Sequence, residues 1–267
     1  MVVVCGVYWE RVAVSCSKGS FMAETGVQRV ALVTGGSGGI GRATAERLAD
    51  DGMAVAVHYA GNKARADEIV SGIVSAGGRA IAVGGDVAEE AEMIAAFDAV
   101  ESEFGGIDVV VNTAGIMLLG PLATFSLNDL DRMHRINIRG TFVVSQQAVR
   151  RVRAGGAIIN FSTSVSKLQF PTYSAYAATK GAVNAMTLIL AREMRGKDVT
   201  VNAIAPGPTA TDLFLDGKDQ NEIDTLAKVS PLERLGTPAD IAESVAFLAG
   251  PGRWVNGQII YVNGGAI

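Results

Sequence analysis

The 267-residue chain has two cysteines, Cys5 and Cys16, and two histidines, His58 and His134. Neither a disulfide framework nor a thiolate site can therefore organise the chain beyond residue 16, and a multi-histidine metal site is equally excluded. Basic charge is also scarce. Lys and Arg number 23 against 27 Asp and Glu, a net charge of −4, and no basic face is concentrated enough to neutralise a nucleic-acid backbone. No apolar run reaches the ~18 to 20 residues that a bilayer requires, and the longest, at 182–191, is interrupted by Asn184 and Thr187. The leading segment lacks the basic, apolar and small-residue order of a signal peptide. These absences predict a soluble cytoplasmic protein with no metal, nucleic-acid or membrane partner. Its chemistry is left to hydroxyls, lysine, carboxylates or a bound cofactor.

Apolar residues, by contrast, make up 49% of the chain, with 32 Gly against 7 Pro, the composition of a globular protein with a large core. Residues 1–28 do not share the pattern that follows. Met22 precedes a short polar stretch, and the segment reads as an N-terminal extension to a domain at 29–267. From Arg29 onward, short β-rich runs (30–34, 54–59, 80–84, 109–112, 157–161, 200–204 and 259–262) alternate with helical patterns (40–51, 63–76, 89–104, 128–152, 173–195 and 238–248). Strands that are nearly continuous in apolar residues are buried on both faces, which implies a parallel sheet. The alternation predicts a single α/β domain, doubly wound, of about seven strands with helices on both faces.

The first strand runs into Thr34-Gly35-Gly36-Ser37-Gly38-Gly39-Ile40-Gly41 before a helix begins. Glycines at such a turn allow positive φ and let the backbone approach a pyrophosphate at the helix N-terminus. NAD sites place an acid at the end of the second strand to hold the ribose hydroxyls. Here that strand ends His58-Tyr59-Ala60-Gly61-Asn62-Lys63 without a carboxylate. NADP(H) is therefore favoured over NAD(H), with Asn62, Lys63 and Arg42 as donors to a 2′-phosphate.

These residues resemble the short-chain dehydrogenase/reductase family. Thr34, Gly35, Gly39 and Gly41 match its TGxxxGxG pattern, Asp86-Val87 its adenine-contacting pair, and Asn112-Thr113-Ala114-Gly115 its NNAG motif with Thr in second place. Asn137 stands at the family's helix-borne Asn, Tyr176 to Lys180 supply YxxxK, and Pro206-Gly207 with Thr211 match PGxxxT, with Thr209 between them a further cofactor-binding candidate. The resemblance spans about 29–267, is nearest to 3-oxoacyl-(acyl-carrier-protein) reductase-type members, and implies a Rossmann-like fold.

Positions four apart on a helix share a face, so Tyr176 and Lys180 can enter one pocket. A nearby lysine cation would move a phenol from its ordinary pKa near ~10 toward the working range. The family's mechanism makes Tyr176 the proton-exchanging group, has Lys180 lower its pKa and hold the nicotinamide ribose, and has Asn137 hold a relay water. The family's hydroxyl, thirteen residues before the Tyr, falls on Thr163. A one-residue shift of the loop would give the role to Ser164 instead, with Ser162 structural.

The substrate loops are expected at 117–119, at Leu168-Gln169-Phe170 with Tyr173, and at 208–231, where 214–218 suit a mobile lid. Their apolar inner residues suit a small ketone or aldehyde. The apolar faces of the helix carrying Tyr176 predict a homo-oligomer, a tetramer in the family. An NADPH-dependent carbonyl reductase is the leading expectation. An NAD-linked alcohol dehydrogenase and a non-catalytic dinucleotide sensor are the alternatives.

Overall fold

A computed structural model describes residues 28–267. The expected extension at 1–28 lies outside the described residues except for Gln28, whose side chain is bonded to the Gly52 carbonyl and to Arg79.

In chain order the elements are β1 (Val30–Thr34), α1 (Gly39–Asp50), β2 (Ala54–Tyr59), α2 (Lys63–Ser75), β3 (Arg79–Gly84), α3 (Glu90–Phe104), β4 (Ile107–Asn112), α4 (Leu127–Met133), a π-helical segment (His134–Gly140), α5 (Thr141–Arg151), β5 (Val152–Phe161), α6 (Val165–Leu168), α7 (Ser174–Glu193), β6 (Thr200–Pro206), α8 (Asp212–Leu215), α9 (Gln220–Ala227), α10 (Pro238–Ala249) and β7 (Ile259–Val262). The strands form one sheet in the order β3-β2-β1-β4-β5-β6-β7, with parallel pairing throughout. This is the doubly wound, Rossmann-like architecture expected from the alternating pattern. The order reverses between β1 and β4, and the crevice at their carboxyl ends is where such sheets bind ligands.

Two hydrophobic layers hold the sheet. Because successive side chains point to opposite faces, Ala31 and Val33 pack with Leu48, Ile69 and Val245, whereas Val30 and Leu32 pack with Phe97, Val144 and Leu190. Each such large side chain contributes roughly 1.5–3 kcal/mol on burial.

The differences from the expected boundaries have local causes. The pattern at 128–152 is one helical run in sequence, but a π-helical turn interrupts it at 134–140. Val152 then opens β5 instead of closing the helix, and a register shift between Ile107 and Val109 accommodates the longer strand. Helices α6, α8 and α9 were not anticipated. All three are short, and α8 and α9 are started by side-chain caps, Thr211 on the Phe214 amide and Asp219 on the Glu222 amide.

Candidate active site

The turn after β1 builds the first part of the site. Gly35 has φ +64°, and a Cβ there would stand 2.9 Å from the Ala114 Cα, so only glycine brings this turn against the loop after β4. Helix α1 then opens at Gly38 with no side-chain cap and no acid in its first turn. Its amides and its positive dipole end face the crevice. A cleft of about 1020 Å³ runs along this edge, lined by Gly35, Ser37, Gly39, Ile40 and Gly41 on one side and by Asp86, Val87, Ala114 and Gly115 further along. An elongated cleft ending on an uncapped helix N-terminus, with glycine backbone at the closest approach, fits a dinucleotide with its pyrophosphate at α1.

A second, apolar pocket adjoins the cleft. Tyr176 and Lys180 from α7 enter it, facing Thr163 after β5, and Met117, Leu168, Phe170, Tyr173 and Phe214 supply apolar wall. Phe170 and Tyr173 stack edge to face, centroids 5.8 Å apart. Ile40 and Thr211 line both cavities.

The two candidate hydroxyls differ in what they already bond. Ser164 is fully buried, donates to the Ala205 carbonyl at 2.9 Å and accepts from Asn263 at 3.2 Å. Thr163 accepts from the Val165 amide at 3.2 Å, and its hydroxyl faces the Tyr176 phenol, with which it hydrogen-bonds. Ser162, expected to be structural, also lines the pocket, and its buried hydroxyl has no partner among the described residues.

Lys180 is buried and donates from Nζ to the Phe161 carbonyl at 2.8 Å. Burial pulls its pKa down to about 8. Burial pushes the Tyr176 phenol above its ordinary value. Neighbouring Tyr173 adds to this, and hydrogen bonding with Thr163 opposes it. The expected lowering of the Tyr176 pKa by Lys180 is therefore not what the geometry gives, because desolvation of a buried phenol outweighs an ammonium directed at a carbonyl.

Asn137 lies within the π-helical segment, fully buried. Its Oδ1 accepts from the Ile116 amide at 2.9 Å, and its Nδ2 donates to the Ile116 carbonyl at 2.9 Å and to the Thr179 hydroxyl at 3.1 Å. Its own carbonyl accepts from Thr141. The side chain ties the loop after β4 to α7.

A family profile described as enoyl-(acyl carrier protein) reductase matches residues 35–266. A short-chain type dehydrogenase/reductase of Picea abies is 44% identical over 250 residues, covering 90% of this chain and 92% of that protein. This chain belongs to the short-chain dehydrogenase/reductase family. An NADPH-dependent aldehyde reductase-like chloroplastic protein of Arabidopsis thaliana is 41% identical over 254 residues, covering 90% of this chain and 94% of the relative. The crystal structure of a short-chain dehydrogenase from Burkholderia cenocepacia in complex with NADP superposes with a TM-score of 0.84 at 39% identity, covering 90% and 98% of the two chains.

Not every residue expected to serve the cofactor of this short-chain dehydrogenase/reductase reaches the cleft. Asn112 is buried behind it, accepting from Thr34 at 2.8 Å. Tyr59 packs over Gly84. Asn62 caps α2 by accepting from the Arg65 amide at 3.0 Å, Lys63 pairs with Asp67 at 2.7 Å, and Arg42 pairs with Glu46 at 2.9 Å. None of these lines the cleft; Arg65 does. Pro206, Gly207 and Thr209 line the apolar pocket instead. Of the substrate loops, Met117 reaches the pocket and the other two of 117–119 do not. The sequence pointed to Lys63 because it is the first cation after β2, but its helical neighbour Asp67 holds it. Arg65 had no local signal to distinguish it. No helix among the described residues is long and apolar enough to cross a membrane.

Proposed function

We propose that the protein is an NADP(H)-dependent carbonyl reductase acting on a ketone or aldehyde with an apolar body, 3-oxoacyl compounds among them. The observation that carries this reading is the placement of Tyr176 and Lys180 opposite Thr163 at the junction of an apolar pocket and a dinucleotide cleft. A reduction requires a proton donor at the substrate oxygen, whereas oxidation of an alcohol requires a base. When bound, the nicotinamide supplies the hydride. Tyr176 gives its proton to the developing alkoxide, and Thr163 donates a hydrogen bond to the same oxygen. Lys180, held by the Phe161 carbonyl, keeps a positive charge beside the phenol as it loses its proton. Asn137 is a positioning residue that fixes Ile116 against α7.

The preference for NADP(H) rests on the absence of a carboxylate at 59–61 and agrees with the NADPH-dependent name of the Arabidopsis relative. A homo-oligomer, a tetramer by family resemblance, is part of the same reading. It is supported by an apolar groove between α5 and α7, where Phe142 is 57% exposed and Ile189 59%.

The test follows nicotinamide absorbance with NADPH and NADH over a panel of ketones and aldehydes, for the wild type and Tyr176→Phe. Turnover with NADPH that falls by ~10²- to 10⁴-fold in the variant supports the reading. Equal turnover in the variant overturns the role of Tyr176, a preference for NADH overturns the cofactor, and binding without turnover favours a sensor.

A further inference from the structure

Arg65 lies in the first turn of α2 and meets a residue 147 positions away in sequence. Its Nη1 and Nη2 both donate to Oδ2 of Asp212, at 3.2 and 3.1 Å. Both residues line the dinucleotide cleft, Arg65 beside Ala60 and Gly61 and Asp212 at the head of α8. The pair is open to solvent, with the carboxylate 84% and the guanidinium 40% exposed. Exposed pairs of this kind hold weakly and exchange partners readily.

The place where the guanidinium sits narrows its role. It faces the end of β2, where a dinucleotide presents its adenosine ribose, and Tyr59, Ala60 and Gly61 offer no carboxylate there. The other cations near this end, Lys63 and Arg42, pair with acids of α1 and α2 and do not line the cleft, whereas Arg65 does. A guanidinium presents a planar fork matched to phosphate oxygens. Both Arg65 nitrogens converge on one Asp212 oxygen, whereas a phosphate would offer the fork two oxygens.

We propose that Arg65 selects a dinucleotide carrying a 2′-phosphate and that Asp212 is a built-in competitor for it, so that binding moves Arg65 from the Asp212 carboxylate to the phosphate. This rests on the reading of the cleft as a nicotinamide dinucleotide site. A dianionic phosphate outcompetes a single carboxylate for the fork, whereas a dinucleotide with a free 2′-hydroxyl leaves Arg65 on Asp212. The handover makes the affinity for phosphorylated cofactor lower than Arg65 alone would provide. It also makes that affinity adjustable from α8, a segment that walls the apolar pocket as well.

Equilibrium binding to the full chain, read by titration calorimetry, tests this with NADPH, NADH, 2′,5′-ADP and 5′-AMP. Arg65→Gln is expected to weaken NADPH and 2′,5′-ADP at least tenfold while leaving NADH and 5′-AMP within about twofold, with Arg65→Lys falling between. Asp212→Asn is expected to tighten NADPH and 2′,5′-ADP several-fold without changing NADH. Equal weakening of NADH and NADPH in Arg65→Gln would mean a structural role and overturn the proposal, as would an unchanged preference for NADPH. Unchanged or weaker NADPH binding in Asp212→Asn would overturn the competitor. A wild type that binds NADH as tightly as NADPH would overturn the cofactor reading itself.

Discussion

The Nζ of Lys180 lies 5.9 Å from the centre of the Tyr176 ring, one helical turn along α7. With its bond to the Phe161 carbonyl, it is placed as a charge beside the phenol, with its proton directed elsewhere. Its pKa of about 8 gives the proposed reduction an alkaline limit. The cation is present below that value and lost above it, so kcat/KM with NADPH should be level near pH 7 and fall as pH rises through about 8. A pH–rate profile checks this, and Lys180→Arg should move the limb upward if it folds.

The same buried lysine affects stability with the opposite sense. Its pKa is lower in the folded chain than the ordinary 10.5, so between about pH 8 and 10.5 the unfolded chain holds the extra proton and stability rises with pH. The contribution is on the order of 3 kcal/mol. Denaturant midpoints measured across this window should rise in the wild type relative to Lys180→Met.

His58 sets an acid limit. It is buried at the end of β2, and burial lowers its pKa from 6.5 to about 4. Below pH 6.5 the unfolded chain takes up a proton that the folded chain refuses, so stability falls as pH drops from 6.5 to 4, by on the order of 3 kcal/mol. His58→Gln should remove most of that slope in urea titrations at pH 4.5 and 7.

The paired hydroxyls should separate by phenotype. Thr163→Ala is expected to lower kcat by ~10²- to 10³-fold with little change in stability. Ser164→Ala removes the bonds to the Ala205 carbonyl and to Asn263 at a fully buried position and should cost about 1–3 kcal/mol while leaving kcat nearly intact. Activity and urea unfolding measured on both variants decide it, and the reverse pattern would return the role to Ser164.

Asn137→Ala removes three bonds at once from a buried position. Loss of the tie between Ile116 and Thr179 should cost about 2–5 kcal/mol, and kcat should fall because the loop carrying Gly115 is no longer fixed. Gly115 has little slack, since a Cβ there would stand 3.2 Å from Asn137 Oδ1 and 3.5 Å from Lys180 Nζ. Calorimetric unfolding and kcat together check this.

Much of the fold was legible because burial on both faces leaves a direct mark on a strand: Val30–Val33 and Val109–Val111 are apolar without a break and fully buried. The Tyr176/Lys180 pair was legible through the resemblance to the YxxxK motif, which helical spacing makes geometrically sensible by putting the two on one face. Contacts between distant segments were less legible. No local pattern gives Arg65 its partner on α8, and none shows that the Ser164 proton is taken by Ala205 while the Thr163 hydroxyl faces Tyr176. The π-helical turn around Asn137 depends on tertiary contacts. Gly140 passes so close to Val87 that a Cβ would meet its side chain at 2.6 Å, a constraint that periodicity does not carry.

The order of the sheet divides recognition along the chain. Apart from Ile40, every residue lining the apolar pocket comes after Asn112, at and after the carboxyl ends of β4, β5 and β6, whereas the glycine turn, Arg65 and Asp86 all come before it. Most substitutions that remodel the pocket therefore arise in a different stretch of sequence from those that tune the adenosine end of the cleft, Asp212 on α8 being the exception. Variation in the second half of such a chain can change which carbonyl is taken while the first half keeps its nucleotide, and the few residues serving both cavities, Ile40 and Thr211 among them, are where the two kinds of change meet.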